Sequence, residues 1–238
     1  MKKRILVILR YLPWSIYFNF RYLPFKQALR LPILLYKPIL IKCKGTVTIE
    51  SDNIRFGMIH LGFMTTSLFP NSGIVWENHG GKIVFQGSCW IGNASAISIG
   101  KTGNIVFGNR FNASCGLKMT SYHQIIFGQN MRFGWDVIVM DTSLHKLKDM
   151  NNQQLGKGYG SIIFGKNNWV PNRCLVLHGT KTPNYCIFGA GSTLNKDYSL
   201  NPTHILMAGN PLTVKRTGVW RDCGVDDGLE YESLHSIL

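Results

Sequence analysis

Acidic side chains are scarce in this 238-residue chain: 12 Asp and Glu stand against 26 Lys and Arg, and none of the acids falls within residues 1–45. Charged residues of either sign make up only 16%, too few for long charged surface helices; with 25 Gly they point to turns and extended segments. Six cysteines are present but no Cys-x-x-Cys pair, so zinc-ribbon and thioredoxin-type chemistry has no basis here. A long apolar run is missing too. The opening "MKKRILVILRYLPWSIYFNF" looks at first like a secretory signal, yet Arg10 and Arg21 break its apolar core and no small-residue cleavage site follows. Its longest uncharged stretch, residues 11–20, falls short of the roughly 20 residues that a bilayer requires. The expectation is a cytoplasmic protein without a transmembrane helix.

The formal net charge of +14 is unevenly spread. Ten basic residues crowd residues 1–45, while the tail 221–238 carries one Arg against five acids. A basic chain invites a nucleic-acid reading, but no helix-turn-helix, zinc-finger or aromatic RNP-type pattern supports it. An anionic membrane surface or an anionic small ligand fits better.

What the chain has in quantity is a repeat. "IIFGKNNWV" at Ile162 has near-copies at Ile105, Ile125 and Cys186, and a looser one at Ile83. From Phe164, every sixth residue reads Phe164, Val170, Val176, Thr182, Phe188, Leu194, and Phe85, Ile91, Ile97 and Phe127, Phe133, Val139 keep the same step. Phe-Gly occurs six times, at Phe56, Phe107, Phe127, Phe133, Phe164 and Phe188. A helix repeats every 3.6 residues and a lone strand every 2. A step of six with one inward apolar residue fits a β-solenoid in which each hexapeptide forms one side of a triangular coil, with about 18 residues per turn. The Gly beside the inward residue is expected to free the backbone at tight turns. Four residues after an inward position stand Cys89, Cys115, Cys174 and Cys186, or Ser95, Ser143 and Ser192. These read as buried corners that accept only small side chains, and the thiols as inert.

Domain boundaries follow: a basic, aromatic-rich leader over 1–45, a β-solenoid over 46–195, and a C-terminal segment with an acidic tail over 196–238. Pro13, Pro24, Pro32 and Pro38 should keep the leader from forming one long helix. Short leader helices can cap the open first coil, and the leader's basic and aromatic residues can also rest on an anionic membrane; the two coexist. Polar stretches interrupt the repeat near 60–80 and 145–160, and loops leaving a rigid scaffold are where sites sit. His145 stands where the repeat gives way to the second of these, 18 residues after Phe127, with Asp141 four residues before it. A base and a carboxylate to orient it suit proton abstraction from a hydroxyl. His123 and His178 are the rival histidines.

The closing section "FGAGSTLNKD…ILMAGNPLTVKR" resembles that of hexapeptide-repeat, left-handed β-helix acyltransferases, and "NNWVPNRCLVLHG" resembles the coil before it, with Pro171 in place of the usual Gly and His178 in place of the usual Pro. "WDVIVMDTSLHKL" resembles the catalytic region of the O-acetyltransferase branch, and "YFNFRYLPFKQALRLPI" a leader found in members that serve capsule and surface-polysaccharide synthesis. The resemblance implies an all-β, left-handed parallel β-helix, a homotrimer, and acetyl transfer from acetyl-CoA to a sugar hydroxyl. His145 would be the base and Asp141 its orienting carboxylate. Trp169, Gly189, Ala190, Gly191, Ser192, Lys196, Lys215 and Arg216 would meet the cofactor, and Trp135 and His123 the carbohydrate acceptor. No metal is implied: trimeric carbonic anhydrases share the scaffold, but their pair of His separated by four residues does not occur here. Acylation of a small or nucleotide-linked sugar, and a non-catalytic solenoid that docks other proteins, are the alternatives.

Overall fold

The six-residue step is obeyed inside the molecule. In a computed structural model that describes residues 2–221, Phe164, Val170, Val176, Phe188 and Leu194 are all buried, and Thr182 nearly so. Strands run parallel in three long sheets. Sheet A has nine strands, from Ile33–Leu35 to Thr213–Thr217; sheet B has seven, from Pro38–Cys43 to Thr193–Leu194; sheet C has six, from Thr46–Ile49 to Lys181–Thr182. The chain visits the three in rotation and stacks each coil on the last at about 4.8 Å. This is a left-handed parallel β-helix.

Its lumen is packed with rings and branched aliphatics. Phe85, Phe107, Phe127 and Phe164 stack face on face up the inside of sheet C, with successive centroids 5.1, 5.6 and 5.7 Å apart. Phe111 and Phe133 fill the space opposite. The repeated glycine has a different task from the one expected. Gly108, Gly128 and Gly165 do not adopt left-handed backbone; they lie one above another, and a Cβ on Gly128 would come within 2.6 Å of the Gly165 carbonyl carbon. Close approach of successive coils demands glycine there, whereas the left-handed corner positions go to Arg110, Asn130, Asn167 and Tyr185.

Coil length is not a constant 18. Trp169 sits beside Ile187 at that step, but Phe107 sits beside Phe127 at a step of 20 and Ile83 beside Ile105 at 22. The corners absorb the extra residues without moving the inward positions. Phe127 sits beside Phe164, because residues 141–160 leave the solenoid as a loop between sheets B and C, tipped by an antiparallel pair, Leu147–Lys148 with Gln154–Leu155. A second loop leaves between sheets A and B near residues 64–73.

The solenoid begins inside the segment read as leader, at Ile33–Leu35, and its last parallel strand is Ile205–Ala208, after which Thr213–Thr217 turns back antiparallel. Before it lie α1, Lys2–Tyr22, and α2, Phe25–Ala28. Contrary to the proline argument, α1 is one helix with Pro13 inside it; Pro13 is on the solvent side, where water can serve a carbonyl left without its helical donor. The opposite face caps the fold. Phe18 is buried against Trp76, and the Asn19 side chain donates to the Ile33 carbonyl (2.7 Å) and accepts from the Ile33 N–H (3.1 Å). Ser15 Oγ accepts from Leu35 N–H. The exposed edge of sheet A thus finds its missing partners in one helix. The short helix expected in the acidic tail lies outside the described residues.

Candidate active site

Each coil turns from sheet B to sheet C at one corner, and that corner gathers the histidines. Tyr122 and His123 occupy it in one coil, the loop 141–160 leaves it in the next, and His178 lies on it above. Asp141, fully buried at the foot of the loop, organises it. Ser121 Oγ donates to its carboxylate at 2.7 Å, and the backbone N–H groups of Tyr122 and His123 donate at 2.8 and 2.9 Å. Three donors on one carboxylate fix the corner that carries His123. The loop closes on itself at a neck: Thr142 bridges Tyr159, and Ser143 N–H donates to the Gly158 carbonyl at 2.8 Å. Across the neck the Tyr159 and His123 rings meet with centroids 5.1 Å apart.

His145 lies just beyond this neck, exposed, its carbonyl accepting from Ser143 Oγ at 2.7 Å. The expected hydrogen bond from its ring to Asp141 is not made, because the carboxylate is turned inward and its acceptor sites are taken by residues 121–123. Asp141 instead anchors the corner from which the loop departs. Ser143, expected in a buried corner, is exposed for the same reason: the chain has already left the coil.

The residues expected to meet coenzyme A divide into two places. Trp169, 39% exposed, projects from the outer face of sheet A and is followed on the same row by Ile187, Leu206 and Arg216. Lys215 is exposed beside it on the same terminal strand. Gly189, Ala190, Gly191 and Ser192 form the neighbouring corner between sheets A and B. Gly191 has φ of 72° and open space where a Cβ would stand, so only backbone strain disfavours a side chain; its N–H donates to the Asn172 carbonyl. Ser192 is buried and its Oγ accepts from Gly209 N–H at 3.1 Å, so its side chain ties two coils together rather than facing outward. Lys196 is exposed after sheet B's last strand, on the side of the histidine corner. Beside it Lys181 and Asp197 pair at 2.9 Å; hydrogen bonds from Ser199 and Lys181 hold the Asp197 carboxyl down to about 2. Trp135 ends a sheet A strand and meets Phe69 of the 64–73 loop at 6.2 Å between centroids. That loop contact had no signal in the repeat.

The small corners hold the expected thiols. Cys89, Cys115, Cys174 and Cys186 are buried, and burial pushes all four thiols up, Cys115 and Cys186 to about 12. No group of three or more His, Cys, Asp or Glu able to hold a metal ion occurs among the described residues.

No protein-family model matches the chain. A galactoside O-acetyltransferase from Lactococcus lactis subsp. lactis (strain IL1403) is 28% identical over 114 residues, which are 48% of this chain and 53% of that protein; the chain spans about half the length of the curated relative it matches. Among solved structures, the polySia-specific acetyltransferase NeuO superposes with a TM-score of 0.51 at 14% identity, covering 84% of this chain and 98% of its own. A hexapeptide-repeat-containing acetyltransferase from Vibrio cholerae O1 biovar eltor, solved with acetyl coenzyme A, gives a TM-score of 0.39 at 14% identity, over 91% and 88% of the two chains. At such identity the likeness to NeuO speaks for the fold alone. By repeat, coil architecture and that likeness, the chain has the fold of the hexapeptide-repeat acetyltransferases.

Proposed function

We propose that the chain transfers acetyl from acetyl-CoA to a hydroxyl of a carbohydrate in surface-polysaccharide synthesis. The observation that carries this reading is the loop 141–160: the solenoid breaks its stacking at the B–C corner, and the break carries an exposed His145 out just beyond the neck across which His123 and Tyr159 meet. The galactoside O-acetyltransferase named above lends support to the activity, and the likeness to the polySia-specific acetyltransferase to the fold.

The chemistry asks little of the protein. The His145 imidazole accepts the acceptor hydroxyl proton as that oxygen attacks the thioester carbonyl. The tetrahedral intermediate collapses with loss of the coenzyme A thiolate, which takes the proton back from the imidazolium. Asp141 keeps the rim in place from beneath, and His123 faces the acceptor. Trp169, Arg216 and Lys215 offer a stacking ring and cations for the nucleotide end, with the corner of Gly189, Ala190 and Gly191 as the track for the pantetheine arm. Measuring acetyl transfer by His145→Ala against the parent tests the assignment.

The same reading includes a homotrimer. The exposed Leu144, Leu147, Met150 and Leu155 on the loop give it an apolar arm that a neighbouring subunit would cover. It also includes contact with an anionic membrane at the inner face of the cell. No helix of the described residues is long and apolar enough to cross a membrane, but α1 turns Trp14, Tyr17 and Phe20 to solvent beside Arg10 and Arg21, and α2 adds Phe25. Rings favour the headgroup region, and each cation near such a surface contributes about 1 kcal/mol. Salt-sensitive sedimentation with anionic vesicles is expected; no binding at low salt would leave α1 a cap only.

A further inference from the structure

The histidine corner continues on the coils before the loop. On the outer face of sheet B, in the row next to that corner, Glu77, Ser98 and Thr120 stand directly beside one another on successive coils. On the corner itself, just after the same strands end, come His79, Gly100 and Tyr122. The two rows are tied together. Ser98 Oγ donates to Glu77 Oε2 at 2.5 Å, and His79 Nε2 meets Glu77 Oε1 at 3.0 Å. The ring–carboxylate pairing expected of His145 is made by His79. The exposed Tyr122 packs its ring on Gly100, where a Cβ would stand 2.5 Å from Tyr122 Cδ1. Its backbone is fixed at both ends: the N–H donates to Asp141, and the carbonyl accepts from Thr102 Oγ1 at 2.7 Å.

Such a surface asks for hydroxyl groups. The hydrogen bond from Ser98 holds the Glu77 carboxyl below the usual carboxylate range, so at neutral pH it only accepts. A carboxylate has about four acceptor sites, and Ser98 and His79 occupy one each. Those left over face solvent and suit hydroxyl donors, while the charge disfavours an anionic ligand. The Tyr122 ring offers an apolar face to the C–H side of a sugar. The coils from His79 to the start of the loop span about 14 Å at the usual strand spacing, a length that about three sugar residues fill.

We propose that this track is an acceptor subsite for a neutral glycan chain, which lies across the coils with one sugar ring on Tyr122 and hydroxyls of the next on Glu77. Its reacting end then reaches the loop that carries His145. The inference rests on the transfer reading for the end that reacts, not for the binding. Tyr122 and Glu77 select and position the acceptor and take no part in the proton transfer.

Calorimetric titration of the full chain, without acetyl-CoA, tests this. The probes are oligomers of glucose, of galactose and of N-acetylglucosamine in increasing length, with oligogalacturonate as the acidic one. At least one neutral series should gain about tenfold in affinity from monosaccharide to trisaccharide and little beyond, where the track ends. Glu77→Ala and Tyr122→Ala should each weaken the trisaccharide by about tenfold, the size of one lost hydrogen bond to a charged group. Both should keep the parent's melting temperature, because both side chains reach solvent. No gain with length in any neutral series, undiminished binding by both variants, or tighter binding of oligogalacturonate than of every neutral oligomer would each overturn the subsite. Acetyl transfer to a sugar without such a gain removes the track and leaves the transfer reading; length-dependent binding by a chain that transfers no acetyl does the reverse.

Discussion

Sheets A and C are alike inside and unlike outside. Within the lumen both present Phe, Ile and Val at the same step. Outside, sheet A reads His60, Trp90, Asn112, Arg132, Trp169, while sheet C reads Thr48, Val84, Val106, Ile126, Ile163, Lys181 at the matching places. The lumen is dictated by packing and has no freedom to differ. The outer rows are under no such demand, and they differ: sheet A's is aromatic and polar, sheet C's largely aliphatic. An unbroken aliphatic row on a β-face is an interaction surface, and in the homotrimer reading a second subunit covers it.

A charge placed in the aliphatic row breaks this comparison most sharply. In the homotrimer reading, Ile126→Lys should convert the assembly to monomers. The same substitution on the other face, Asn112→Lys, should leave the assembly whole. Sedimentation velocity on the two variants decides, and monomers from Asn112→Lys with assembly kept by Ile126→Lys would exchange the roles of the two faces.

The lumen common to both sheets sets the next effect. Because burial raises Cys115 and Cys186 from near 9 to about 12, the folded state keeps both thiols protonated while the unfolded chain ionises them. Their contribution is intact below pH 9 and is lost as pH climbs from 9 towards 12. Denaturant midpoints should fall over that window, and less steeply in Cys186→Ala measured against its own value at pH 7. Rapid native-state labelling of Cys89, Cys115, Cys174 or Cys186 would contradict the coil phase itself.

Smallest is a substitution within the aliphatic row. Thr48 Oγ1 is buried and has no hydrogen-bond partner. Thr48→Val should therefore raise stability by about 1 kcal/mol, read as a shift in denaturant midpoint, since it removes an unpaired polar group at constant shape. A loss of stability would show that the hydroxyl is served by the neighbouring subunit.

How much of this was legible in the sequence follows from the same division. The inward Phe, Ile and Val positions and the small Cys and Ser corners could be read, because every coil repeats the same steric demand. The corner insertions could not: they lengthen a coil without shifting an inward residue, so the 22-residue and 20-residue coils look like imperfect copies. Glycine after Phe was visible, but its cause is contact between coils, which only stacking reveals. Pro13 misled because its helical penalty is small where water reaches the freed carbonyl. Of the candidate site, the loop and His145 were marked by the lapse of the repeat. The inward turn of Asp141 was not, since a carboxylate four residues from a histidine looks the same whether it faces the ring or the backbone of the coil before.

In the proposed reaction His145, carried out of the solenoid by the loop, removes the acceptor proton. Turnover of acetyl-CoA with a carbohydrate acceptor, compared among the parent, His145→Ala and His123→Ala with assembly and melting temperature checked for each, tests it most directly. His145→Ala should lose about 10²–10⁴-fold in kcat with fold and assembly intact, and His123→Ala a smaller amount, chiefly in acceptor KM. Near-normal turnover by His145→Ala beside an inactive His123→Ala would contradict it and move the base to the corner that Asp141 holds.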